Sequence, residues 1–368
     1  MANEPVMAEH KIKEEYTGKK LRIGIVGTGN IAETHINAYK EVPAAEIVAA
    51  CDIDSERLKL TCDKHNINKR YDSIEEMIAN EELDAINVCV WNCNHAKCAI
   101  YGLERGLHVL CEKPMAYSAE EAIAMKEAAD KAGKLLMVGF VKRFGDDTAL
   151  AQEFIDADML GVPYYSKATY LRRHGAPGGW FCDKARSGGG PIIDLGVHVI
   201  DHTRYLMGSP KPVSVYAMYS SAIGTRPELI NQVGWTPMKS KFDTGVSDCE
   251  DFGVALIRYD NGAVTLLETS YDYHGENKGE TWIFGTKGGM QVSGDMRFKT
   301  TINNRLADIL PVKNTKDTDP FIKEMEHFVD CALNGTPCNA SAEDGIWVMK
   351  ILDAIYESAR TGHEVIIK

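Results

Sequence analysis

Apolar and polar positions follow two different rhythms along this chain. From Leu21 to Val141, short apolar runs alternate with longer segments of helical period. The runs at 21–27, 45–51, 85–90, 108–111 and 135–141 predict strands. The segments at 30–42, 55–65, 73–80, 95–105 and 118–132 predict helices. Apolar strands separated by helices are the pattern of a doubly wound parallel sheet covered on both faces. After Phe144 the rhythm changes. Residues 163–171, 213–222, 251–259, 262–271, 280–285 and 288–293 are rich in Val, Tyr, Thr and Ile. Asp260-Asn261-Gly262 is a hairpin signal between two of these runs. They predict an open antiparallel sheet. Residues 342–361 return to helical period, with Ile346, Val348, Met349, Leu352 and Ile355 on one side, and are expected to pack back onto another element. The reading is α/β followed by α+β: a polar extension at 1–20, a doubly wound domain at 21–144 and a second domain at 145–368.

Composition narrows the partners. The 368 residues suffice for two cores. The net charge of −12 disfavours nucleic acid and anionic membrane. Residues 1–20 lack the apolar core of a signal peptide, and no apolar run reaches the roughly 18–20 residues that span a bilayer. A cytoplasmic location is expected. The ten cysteines sit mostly in apolar runs, as Cys89 and Cys111 do, and do not read as a disulfide framework. Cys89, Cys93, His95 and Cys98 cluster without a standard zinc spacing. No metal site is expected.

Three segments carry chemistry. Gly27-Thr28-Gly29-Asn30-Ile31-Ala32 follows a predicted strand and opens a helix. Gly27 permits a tight turn, Gly29 lets backbone approach a pyrophosphate, and Ala32 allows close helix–sheet packing. Asp52, about 20 residues on at the end of the next strand, suits the ribose hydroxyls and repels a 2′-phosphate. NAD is therefore favoured over NADP. Cys111-Glu112-Lys113-Pro114 ends another strand, where ligands of such sheets sit, so Lys113 should face the cofactor crevice. The third segment is Ser187–His202. Its glycines and Pro191 predict a tight loop, and the helix after it would put Asp194, His198 and Asp201 on one face. His198 and His202 are also spaced as metal ligands, but hydride transfer needs no ion.

Together these motifs resemble the glucose–fructose oxidoreductase / inositol dehydrogenase / rhizopine-catabolism (Gfo/Idh/MocA) family. The resemblance rests on Gly24-Ile-Val-Gly27-Thr-Gly29-Asn-Ile-Ala32, Asn92-Cys-Asn-His95, Gly106 to Pro114, and Gly188 to Asp201. It implies a Rossmann domain, an open antiparallel sheet domain, a homo-oligomer (dimer, tetramer or higher), and NAD(P)-linked oxidation of a sugar or cyclitol hydroxyl. Gly27, Thr28, Gly29, Asn30, Ile31, Asp52, Asn92, His95, Glu112 and Lys113 would hold the cofactor. Lys113, Asp194 and His198 match the family's catalytic positions. His198 would be the general base, Lys113 would polarise the reacting hydroxyl, and Asp194 would orient substrate or tune Lys113. Asp201 would brace the helix or cap the loop. One departure is Val90-Trp91, where the family usually carries Thr-Pro; Trp91 would stack near the cofactor or fill core.

The substrate side is read from Arg143 and from Arg172-Arg173-His174 through Trp180-Phe181. Arg143, Arg172, His174 and Trp180 would join Asp194 and His198 around the substrate. A sugar or glycoside oxidised at C3 is favoured, in some branches with NAD kept bound and recycled. The alternatives are a glycosidase or lyase using transient C3 oxidation and an inositol dehydrogenase. A non-catalytic NAD-sensing regulator ranks last, because Lys113, Asp194 and His198 are all present.

Overall fold

The computed structural model describes residues 18–224, 226, 229, 238, 240–312 and 318–368. Most of the expected N-terminal extension lies outside them. Strands β1 (Leu21–Val26), β2 (Ala45–Cys51), β3 (Lys69–Tyr71), β4 (Ala85–Val88), β5 (His108–Glu112) and β6 (Leu136–Gly139) form one sheet in the order β3-β2-β1-β4-β5-β6. All its pairings are parallel. Between them run α1 (Asn30–Lys40), α2 (Ser55–His65), α3 (Ile74–Asn80), α4 (His95–Leu103) and α5 (Ala119–Ala132). Side-chain caps set several helix starts: Ser73 accepts from Glu76 N and Ser118 from Glu121 N. Ile23, Ile25, Ile86, Val88, Val109, Leu110 and Val138 are buried in the sheet, each contributing roughly 1.5–3 kcal/mol. The order reverses at β1, which opens a crevice beyond the carboxyl ends of β1 and β4.

The second half opens with α6 (Asp146–Asp156) and β7 (Pro163–Leu171). After a loop come α7 (Lys184–Ser187), a π turn at Ile192–Gly196, and α8 (Val197–Leu206). The sheet continues with β8 (Pro212–Ser220), β9 (Phe252–Tyr259), β10 (Val264–Ser270), β11 (Lys278–Gly285), β12 (Gly288–Gln291), β13 (Arg297–Ile302) and β14 (Arg305–Ile309). Helices α9 (Pro320–Asn334) and α10 (Ala342–Thr361) and the short β15 (Val365–Ile366) end the chain. Nine strands lie in the order β14-β13-β12-β11-β7-β10-β9-β8-β15. The expected hairpin joins β9 to β10, with Gly262 at φ 84° and Asn261 Oδ1 accepting from Ala263 N.

The sheet is not wholly antiparallel: β7 and β10 pair in parallel from Tyr165↔Val264 to Leu171↔Ser270. The long excursion through α8, β8 and β9 separates the two strands in sequence and lets them run the same way. The sequence reading passed over β3, α6, β13, β14 and α9. Of these α9 matters most, because it leaves the second sheet and packs on α1 and β1. Helix α10 packs on β8, β6 and α5. All ten cysteines are free thiols. No helix among the described residues is long and apolar enough to cross a membrane.

Helix α8 is fixed by His202, which is buried between α6 and β11. Thr148 Oγ1 donates to Lys142 O at 2.6 Å, so His202 Nε2 must donate to Thr148 Oγ1 at 2.8 Å. Nδ1 then accepts from Thr281 Oγ1 at 3.3 Å. A neutral ring satisfies both contacts. Burial, reinforced by the Lys142 and Arg143 charges, pulls its pKa from 6.5 down to about 3. The unfolded chain binds this proton near its ordinary pKa while the folded chain refuses it. Stability is therefore lost as pH falls from 6.5 towards 3. In thermal melts across that range, His202→Gln is expected to be less stable than the native protein near neutrality and to close the gap on acidification. A gap that stays constant with pH would rule out a neutral buried His202.

Candidate active site

A cavity of about 760 Å³ opens at the reversal of the parallel sheet and extends to α8. The glycine turn forms one wall. Gly27 has φ +87°, and a Cβ there would run into the Cys89 carbonyl. At Gly29 nothing lies within 4 Å of where a Cβ would stand, so the α1 N-terminus faces open space. Asn30, Ile31 and Asp52 line the same wall, while Thr28 does not. Thr28 instead donates from N and Oγ1 to Asp52 Oδ2 at 2.7 and 2.9 Å, and Asp54 N donates to Asp52 Oδ1 at 2.8 Å. Asp52 is thus pinned at the rim with its charge exposed to the cavity. The positive φ, the bare approach at Gly29 and the helix N-terminus fit a dinucleotide pyrophosphate, with Asp52 placed for a ribose.

The floor comes from the ends of β4 and β5. Asn92, His95, Glu112 and Lys113 all line it. Three of them are largely engaged by the protein. Asn92 Nδ2 donates to Ser187 O at 2.7 Å. His95 places Nδ1 2.7 Å from Pro114 O and Nε2 3.1 Å from Val90 O, which fixes the Lys113-Pro114 turn. Glu112 Oε1 lies 2.9 Å from His35 Nε2, and Oε2 accepts from Lys113 N. Lys113 Nζ reaches across to the second half of the chain. It donates to Asp194 Oδ1 at 2.7 Å and to Asp194 O at 3.1 Å.

Asp194 sits in the π turn, a local widening common at functional sites. The loop before it is held by Glu250, which accepts from Gly190 N, Ile192 N and Tyr356 Oη. A Cβ at Gly190 would strike the Glu250 carbonyl. The second Asp194 oxygen accepts from Tyr271 Oη at 2.8 Å. Burial opposes its charge, but Lys113, Arg172 and the Tyr271 hydroxyl together hold the carboxyl below its ordinary range. His198 follows on α8 and lines the cavity. Among the described residues no hydrogen bond engages its ring. Burial, joined by the charges of Lys113, Lys142 and Arg172, lowers its pKa well below 6.5, so the imidazole is neutral at neutral pH.

The far wall carries Arg172, Trp180 and Phe181. Arg172 donates to Gly175 O and Tyr170 Oη, and the rings of Trp180 and Phe181 lie 3.9 Å apart. Trp91 lines the cavity under the Arg186 guanidinium at 4.2 Å.

Two expected substrate residues lie elsewhere. Arg143 does not line the cavity. It turns into the interior, where Nε and Nη2 pair with Asp201 and Nη1 bonds Asp344 Oδ2 and Asn339 O. Its acidic partners, on α8 and α10, are remote in sequence, and a buried guanidinium must go where they are. Asp201 accordingly braces α8 from behind instead of joining Asp194 and His198. His174 also misses the cavity; Nδ1 lies 2.8 Å from Asp272 Oδ2, and the two residues bridge as a strand end. The sequence reading missed Tyr271, which reaches Asp194 from the end of β10. It also missed Lys142, whose Nζ lies 5.6 Å from the Tyr170 ring centroid and whose charge acts on His198. Lys142 adjoins Arg143 and, like it, does not line the cavity; only its charge reaches His198.

A reversal-point cavity with a glycine turn, joined to an open mixed sheet, defines the class: NAD-binding oxidoreductases of Rossmann fold. The model of the oxidoreductase family with an NAD-binding Rossmann fold matches residues 21–140, and that of the GFO/IDH/MocA C-terminal domain matches residues 148–291. The chain belongs to the Gfo/Idh/MocA family of oxidoreductases. It is 32% identical over 359 residues to the D-glucoside 3-dehydrogenase of Escherichia coli K12, covering 96% of this chain and 99% of the relative. It is 29% identical to the D-xylose 1-dehydrogenase (NADP(+)) 2 of Haloferax volcanii, covering 94% and 99%. The solved structure of a levoglucosan dehydrogenase in complex with NADH shares the fold at a TM-score of 0.82 and 24% identity, covering 95% and 100%.

The Arg143 cluster yields a prediction. Arg143→Ala strands Asp201 in the interior and should cost about 3–5 kcal/mol in urea unfolding. Arg143→Lys cannot restore the forked contact to Asp201 and should recover only part of that loss. A loss within about 1 kcal/mol for Arg143→Ala, the size of an exposed pair, would remove the cluster's assigned role.

Proposed function

We propose that this enzyme oxidises a secondary hydroxyl of a sugar or glycoside, with C3 of a glucoside favoured, using NAD as hydride acceptor. The observation that carries the reading is the neutral, unengaged His198 ring facing the same cavity as the Lys113–Asp194 pair. His198 takes the hydroxyl proton, which a neutral imidazole can do and an imidazolium cannot. Lys113, held by Asp194, donates to the same oxygen and stabilises the alkoxide character that grows there. Asp194, fixed by Tyr271, keeps Lys113 in place and offers an acceptor to a neighbouring hydroxyl. Trp180 and Phe181 offer a sugar an apolar face, and Arg172 offers donors near it.

Gly27, Gly29, Asn30 and Ile31 hold the pyrophosphate and Asp52 the ribose. Thr28, Asn92, His95 and Glu112 act one step back by shaping the turns that touch the cofactor. NAD is preferred because Asp52 faces the rim, and a second negative group there costs binding. The E. coli relative's name supports C3 oxidation of a glucoside, and the Haloferax relative's name marks NADP as the cofactor to test against. A cytoplasmic homo-oligomer, acting on small molecules, fits the same reading.

The test is the growth of reduced nicotinamide with NAD or NADP and a panel of glucosides, free sugars and cyclitols, followed by product analysis. Turnover on glucosides giving a 3-keto product, with NAD favoured about tenfold or more, is expected. Growth that stops at one equivalent per chain would mean a retained cofactor. Turnover confined to cyclitols would overturn the substrate assignment. His198→Ala should lower kcat/KM by about 10²–10⁴ while leaving NAD binding intact. The acid limb of kcat/KM should fall well below pH 6.5, because His198 stays neutral until then. A limb at or above that pH would exclude His198 as the base.

A further inference from the structure

A second cluster of ligating side chains lies on the far side of the Arg143 network, away from the cavity. His327 and Cys331 stand four residues apart on α9 and share one face. The chain turns at Gly335 and brings Cys338 back against them. One ligand atom from each residue lies within 4.8 Å of the other two. His327 Nε2 is 3.4 Å from Cys331 Sγ. The same nitrogen accepts from Asn339 N at 2.8 Å, so it carries no proton, and an ion taking its one lone pair would replace that hydrogen bond. The Phe144 ring packs on the imidazole with centroids 5.4 Å apart and fixes its plane. Cys331 is buried while His327 and Cys338 are half-buried, which leaves an approach from solvent. None of the three has a part in the proposed oxidation.

We propose that His327, Cys331 and Cys338 form a binding site for a thiophilic divalent cation of the zinc type, with water as fourth ligand. Two soft sulfurs and one imidazole nitrogen are the donor set such ions take in tetrahedral geometry. Binding releases the two thiol protons, so the ion and the two thiolates sum to zero charge. The Arg143 guanidinium donates to Asn339 O, one residue beyond Cys338, and holds that end of the turn in place. The ion would tie the end of α9 to the start of α10, where Asp344 anchors Arg143 and Arg204. Its part is to secure the support beneath α8, not to touch substrate. The sequence conceals the site because His-x3-Cys-x6-Cys departs from the usual paired spacings and only the α9–α10 turn closes it.

The test uses the full chain, metal-free and kept reduced with a phosphine, with free thiols counted after denaturation. Titration with Co²⁺ should give thiolate-to-cobalt charge transfer and tetrahedral visible bands that saturate at one ion per chain. Zn²⁺ should displace them and raise Tm by about 3 °C at saturation. Cys338→Ser and His327→Gln, both at half-buried positions, should lose the bands, whereas Cys93→Ser should keep them. Absence of tetrahedral bands in the reduced protein would overturn the proposal. So would bands that survive in both Cys338→Ser and His327→Gln, since other cysteines would then hold the ion.

Discussion

The contact on which this molecule turns is the ion pair between Lys113 and Asp194. Lys113 ends a strand of the first sheet, and Asp194 sits in the π turn that opens α8. Two charges in a cavity wall cost more in lost hydration than their attraction returns unless every lone pair is used. Here the use is nearly complete: one Asp194 oxygen takes the ammonium at 2.7 Å, the other takes the Tyr271 hydroxyl at 2.8 Å, and the backbone carbonyl takes Lys113 again. The pair therefore fixes the two halves of the chain in register at the one place where a dinucleotide and a small molecule could meet.

That register would be wasted if α8 could rock. Beneath it, Arg143 and Arg204 face Asp201 and Asp344, two charges of each sign drawn from three separate parts of the chain. The cluster is neutral as a unit, and its arginines fork between partners, a geometry a lysine could not supply. His202 adds a neutral bridge from α8 to α6 and β11. Helix α8 is thus held from behind by charges that cancel and by a ring that refuses a proton. On its front face, the His198 imidazole has no hydrogen-bond partner among the described residues.

How much of this was legible depended on distance along the chain. The strand–helix alternation, the glycine turn at Gly27–Ala32 and the Lys113-Pro114 corner are local, and short-range pattern was enough to place them. Asp194 and His198, read from the same local segment, both line the cavity, whereas Asp201 of that segment pairs with Arg143. Arg143 was misdirected because a long side chain follows its partners, and these stand at Asp201 and Asp344. His174 was misplaced because Asp272, far along the chain, claims it. The parallel pairing of β7 with β10 left no trace in either strand's composition; it is a property of sheet order. Helix α9 was different, because Asp319-Pro320 followed by apolar Phe321, Met325, Phe328 and Val329 is a helix start and stripe that was there to be read.

The electrostatic logic of the cavity follows from these placements. Lys113, Lys142 and Arg172 all bring positive charge to bear on His198, and Lys113 is paired with the Asp194 carboxylate in the cavity wall. An imidazole in that field resists protonation and stays neutral at neutral pH. The same field favours any substrate oxygen that gains negative charge beside it. At the opposite end the sign reverses: Asp52, anchored by Thr28 and Asp54, presents a carboxylate where a ribose would lie. The charges lining one cavity therefore differ in sign between its two ends. Both fields are fixed before any ligand arrives, because the groups that create them are hydrogen-bonded into the fold.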